Sequence, residues 1–213
     1  MATTTWTNTA GGNFDTAANW NNGVPQGGDT ALITAKGTYT VTVSQPDGVG
    51  TLQMAKGATL AIGPTWSLFV AAGTGTGKGA LAGTINVGNL GELDLGTDGG
   101  PTTFNNTGAI NLQSTGDPTD IFVAGNVTLS GKGKVTLEDD SNIVSDGSAA
   151  TLTNNGNTIS GAGTIGDSLL SFTNGTKGIV DATDGINNLN INTGAADVTN
   201  NGDGNDRSGK FSS

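Results

Sequence analysis

The chain has 213 residues, a formal net charge of −10, 37 glycines, and only 33% hydrophobic and 12% charged residues. Eight scattered basic residues cannot neutralise a phosphate backbone, an acidic surface repels anionic membranes, and no apolar run approaches the ~20 residues of a membrane span, so neither a nucleic-acid partner nor membrane insertion is expected. Cysteine and histidine are absent, which removes disulfides, thiolate metal sites and every Ser–His or Cys–His nucleophile.

Glycine spacing argues against helices. The longest glycine-free run, Lys134–Asp146, reads KVTLEDDSNIVSD, and Val135 and Leu137 alternate in it with polar residues at strand period. An average helix needs about eleven residues, and each internal glycine costs roughly 1 kcal/mol relative to alanine.

In chain order, the first element is distinct. Residues 1–35 hold Trp6, Phe14 and Trp20, much bulkier than the later apolar residues, and Val24-Pro25 makes a rigid turn. This segment reads as a cap over the open edge of a repetitive fold. Its first twelve residues, MATTTWTNTAGG, lack the basic region and apolar core of a signal peptide.

From residue 36 to 202 the chain carries short apolar segments flanked by Gly, Asn or Asp. They run from Val41–Val43, Leu52–Met54, Leu60–Ile62, Leu68–Val70, Ile85–Val87 and Leu93–Leu95 to Ile110–Leu112 and Ile121–Val123. Val127–Leu129, Val135–Leu137, Ile143–Val144, Leu169–Phe172, Ile179–Val180 and Leu189–Ile191 continue the series. The turns rhyme: TFNNTG at 103, TLTNNG at 151, SFTNG at 171 and DVTNNG at 197 place Phe104, Leu152, Phe172 and Val198 at equivalent positions. Their spacing fits multiples of about two dozen residues, the signature of a solenoid.

The expected fold is all-β, a right-handed parallel β-helix, with residues 36–202 as coils and 203–213 as a polar tail or linker. Small aliphatics would fill a narrow core, and Gly and Asn would take the corners, where asparagines can hydrogen-bond along the axis. The alternative is an antiparallel β-sandwich, which would use longer strands and more aromatics than the 5% found here.

Trp6, Asn19-Trp20, Gly23-Val24-Pro25 and Gly28-Asp29 followed by Ala31-Leu32-Ile33 resemble the opening motif of bacterial surface β-strand-repeat proteins, autotransporter passengers and adhesin-like exoproteins among them. TLTNNGNTISGAGTIG at 151 and TKGIVDAT at 176 are similar to their repeats. The resemblance implies a secreted or cell-surface bacterial protein with roles in adhesion, matrix building or display.

Few residues invite chemistry. Ala71–Gly79 approaches a phosphate-binding loop, but Gly79 stands where a hydroxyl must follow Lys78. Asp203 and Asp206, in NGDGNDRSG, partly match a calcium-binding nonapeptide, and Glu138, Asp139 and Asp140 with Asp146 are a second candidate cluster for calcium. Trp66 either stacks on a sugar ring or plugs a wide coil. No catalytic residue is assigned. The leading expectation is a non-enzymatic structural or adhesive segment that binds glycans or host and abiotic surfaces, or that associates with itself. Two alternatives stand: a polysaccharide-active β-helix using paired aspartates such as Asp94 and Asp140, and a self-assembling spike, sheath or fibre component.

Overall fold

A computed structural model describes residues 1–72, 80–194, 198–200, 203–206 and 211–212. Every strand pairing between its named strands is parallel, which excludes the face-to-face antiparallel sandwich. The fold is a parallel β-solenoid of about 7 turns. The only helix among the described residues is a single 3-10 turn, Ala17–Asn19.

Two sheets run along the rod. The ten-stranded first sheet starts at Thr3–Thr5 and the nine-stranded second sheet at Gly12–Asn13, and the chain alternates between them as far as Glu92–Gly96. From Thr102–Asn105 onward each coil adds a strand to a five-stranded third sheet, so the cross-section widens from two sides to three. Isolated parallel bridges Met54–Leu81 and Leu81–Asn106 prefigure this third side in the preceding coils.

Alternation dictates the interior. On the second sheet Val41, Leu60, Ile85, Ile110, Val135, Ile159 and Val180 stand in register, one per rung, and all are buried. A fully buried Val, Leu or Ile contributes about 1.5–3 kcal/mol, so one such ladder on each sheet stabilises the rod with few apolar residues. Rung length varies with the corners: Val41 to Leu60 is 19 residues, whereas Ile85 to Ile110 is 25.

One expected equivalence shifts. Leu152, Phe172 and Val198 are in register, but the residue of the third sheet aligned with them is Thr102, through Val127. Phe104 lies two positions on, in the column Phe104, Leu129, Asn154 and Asn174. The cause is that Asn154 and Asn174 point inward. Together with Asn106 and Asn157 they form a polar spine inside the third corner, each at most 1% exposed. Asn154 Nδ2 donates to Asn174 Oδ1 at 2.9 Å, and Asn106 Nδ2 donates to Asn157 Oδ1 at 2.8 Å. The second bond skips a rung, and Gly133 leaves the room for it: a Cβ there would lie 2.6 Å from the Asn106 amide nitrogen. Axial hydrogen bonding by asparagines is thus present, but within the core as well as at the bends.

Residues 1–35 supply the first rungs and their closure together. Thr3–Thr5 pairs with Thr30–Ile33 and Gly12–Asn13 with Tyr39–Val43. Trp20 packs edge-on against Trp6 and Phe14, with ring centroids 5.1 Å apart in both pairs. The segment after the 3-10 turn folds back along the free edge. Asn21 N donates to Thr5 O, Asn21 Oδ1 accepts from Thr5 N, and Asn22 Nδ2 donates to Thr3 O. The terminal edge groups are therefore satisfied by the chain's own asparagines.

Candidate functional site

With the interior closed, only outward columns and corners can do chemistry. The third sheet has the simplest face. Thr103, Thr128, Thr153, Thr173 and Thr199 form one in-register column. Asn126, Thr151 and Ser171 form a second beside it. Its strands, Thr102–Asn105, Asn126–Ser130, Ala150–Asn155, Leu170–Asn174 and Val198–Asn200, contain no charged residue, although the chain carries 18 acidic ones. Parallel strands repeat every 4.7–4.9 Å, so this face is a regular neutral lattice of hydroxyls and amides.

The acidic residues whose side chains are described do not gather into one site. Glu138, Asp139 and Asp140 form the exposed corner between Lys134–Leu137 and Ser141–Ser145, with Asp140 at φ 61°. Asp146 follows the far end of that same strand, roughly 20 Å from Asp140 at ~3.3 Å per residue. Asp94 is two rungs away from Asp140 and four positions further along, roughly 16 Å off, too far to flank one glycosidic bond. Asp203 and Asp206 begin and end a strand paired with Ile179–Ala182; their side chains lie outside the described residues, as do positions 73–79 of the phosphate-loop-like segment. Among the described residues no group of three acidic side chains is placed to hold a metal ion. Trp66 is half-buried and leans on the core, with its Cδ1 close above Gly63.

Two arrangements escape a reading by local motif. On the outer face of the first sheet Phe69, Asp94 and Phe122 are consecutive in register, so the carboxylate lies between two outward phenyl side chains. Glu92, Ala124 and Asp146 complete an open groove of about 400 Å³. Burial, with Glu92 and Asp146 nearby, pushes the Asp94 carboxyl up to about 6, and its Oδ1 is buried without a hydrogen-bond partner.

The second lies at the N-terminal end. Asp15 and Asp47 are neighbours in the lining of a cavity of about 510 Å³, together with Val24, Pro25, Gln26, Gln45 and Pro46. Gln45 Nε2 donates to Asp15 Oδ1 at 2.9 Å. Burial first, then the charge of Asp15 and the hydrogen bond that protonated Asp47 donates to it, push Asp47 up to about 7. In the unfolded chain Asp47 titrates near 3.8. The folded state therefore holds the extra proton between about pH 4 and 7, and stability falls as pH rises through that window. Asp47→Asn should flatten the pH dependence of the melting temperature. About 1–2 kcal/mol should be recovered at pH 8, after discounting for solvent screening at this half-exposed position.

No protein-family model, no curated protein and no solved structure matches the chain.

Proposed function

We propose that the chain is a non-enzymatic structural and adhesive segment of a bacterial surface protein, a stiff rod that binds neutral glycans through the outer face of its third sheet. The observation that carries this reading is the uncharged column of five threonines with its flanking Asn, Thr and Ser positions. A neutral polysaccharide offers hydroxyls and acetals and no charge. Meeting it requires no ionised side chain to be desolvated, and each rung adds one weak polar contact at a fixed spacing. Several weak contacts on a rigid support give useful avidity. The acidic remainder of the surface keeps the rod soluble and repels anionic polymers. Paired-aspartate hydrolysis has less support, since Asp94 and Asp140 lie on separate parts of the rod.

The test is retention on films of neutral polysaccharide, followed by surface-sensitive mass measurement. Wild-type protein should be retained with little dependence on salt. Thr128→Asp/Thr153→Asp, which places two charges on the outward column, should reduce retention at least tenfold without altering the melt. Equal retention by the variant, or release of shortened sugars by the wild type, would count against the proposal.

A further inference from the structure

We infer that the groove of Phe69, Asp94 and Phe122 on the first sheet is a binding site for a protonated amino sugar. This site is separate from the neutral face and does not rest on it.

The argument starts from alternation. Leu68 and Val70 point inward, as do Ile121 and Val123, so Phe69 and Phe122 must point out. Large apolar side chains on an outward column are rare in this chain, where the equivalent positions of the third sheet are Thr, Ser and Asn. Both phenylalanines remain partly exposed. Asp94 stands on the strand between them, and neighbouring strands are about 4.8 Å apart. Val144 stands beside Phe122 on the next rung, and the other flanks are small. Gly48 lies beside Phe69 on the outer side, with the position of its absent Cβ 3.6 Å from the Phe69 Cβ, and Gly96 and Ala124 pair beyond Asp94. The result is an open trough with aromatic walls and an acidic floor.

Charge selects the occupant. Glu92, Asp94 and Asp146 line the groove, and among the described residues no basic side chain does. An anionic sugar is repelled. A compact metal ion is poorly served, because the three carboxyls do not converge into a ligand set. A wider organic cation matches this spacing. An ammonium group seated in the trough would pair with the Asp94 carboxylate, whose buried Oδ1 has no partner of its own, and phenyl faces attract cations. The C–H face of the pyranose ring would lie on Phe69 or Phe122. The volume, about 400 Å³, falls within the range of small-ligand sites.

The experiment titrates the protein with a glucosamine tetrasaccharide, its fully N-acetylated counterpart and tetralysine, followed by calorimetry at pH 6.5. The amino tetrasaccharide should bind at least fivefold more tightly than either comparison ligand. Asp94→Asn and Phe122→Ala should each weaken it at least fivefold, and Glu92→Gln less. Asp94→Asn retains shape and removes an unpartnered buried charge, so it should melt no lower than wild type. It decides the matter if Phe122→Ala is less stable. Thr128→Asp/Thr153→Asp should bind the amino tetrasaccharide as wild type does, which separates this site from the neutral face. Equal affinity for the acetylated sugar, equal affinity of Asp94→Asn, or tighter binding of tetralysine would each overturn the assignment.

Discussion

Asn154→Ala should lower the stability of the rod by about 3–4 kcal/mol, the largest single effect expected on the third corner. The Asn154 side chain is fully buried. Its Nδ2 donates to Asn174 Oδ1 and to Asn157 O, both at 2.9 Å, and its Oδ1 accepts from Asn157 N at 3.0 Å. Truncation removes these three bonds and strands the buried Asn157 N–H, at about 1–3 kcal/mol, while Asn157 O still accepts from Ile179 N. Asn154→Leu should not rescue the loss, because the Asn157 N–H would still lack the acceptor that Asn154 Oδ1 supplies. Gly178→Ala tests the same packing from the opposite side, since its Cβ would lie 2.6 Å from Asn154 O and 2.7 Å from Asn154 Nδ2. Equilibrium denaturation in urea measures both. In a quasi-one-dimensional fold the damage stays local, so limited proteolysis should cut the rungs after Asn154 while those before Leu95 persist.

Trp20→Ala should cost about 3–5 kcal/mol and change the behaviour of the protein as well as its melting temperature. Trp20 is 4% exposed, meets Trp6 and Phe14 edge-on, and donates its indole N–H to Phe14 O at 2.7 Å. Removing it frees the Asn19–Gly23 segment, which covers the edge of Thr3–Thr5. An uncovered edge is a template for another chain. Static light scattering should therefore show concentration-dependent association of Trp20→Ala under conditions where the wild type stays monodisperse. Association of both proteins to the same degree would mean that the terminal segment closes nothing. The closed N-terminal edge also weighs against a fibre grown by stacking at that end.

Alternation was legible in the sequence wherever aliphatics flank one residue, as in Leu68-Phe69-Val70 and Ile121-Phe122-Val123. The same pattern already places Phe69 and Phe122 outside. What local pattern withholds is which rung meets which. Phe69 and Phe122 come from strands 25 residues before and 28 residues after Asp94, and unequal corners hide that register. Asn154 and Asn174 read as turn residues because asparagine favours turns, yet a spine of amides that satisfy one another can be buried. That substitution of amide for aliphatic is why Phe104 aligns with Asn154 and not with Leu152. Glu138-Asp139-Asp140 are adjacent in sequence, which suggests a calcium cluster, but a corner displays its acids outward and apart. Asp15 and Asp47 carry no local signature. A turn after the second strand and the start of a strand on the next coil bring them together.

The most direct test of the architecture uses the absence of cysteine. Thr128→Cys/Thr153→Cys and Thr153→Cys/Thr173→Cys place thiols on adjacent rungs in register, where the Cα separation of about 4.8 Å allows a disulfide. Both pairs should oxidise within the monomer and raise the melting temperature. Thr128→Cys/Ser171→Cys, two rungs apart and offset along the strand, should stay reduced. Ready closure of the offset pair, or failure of both in-register pairs, would contradict the stacked parallel coils on which the neutral face depends.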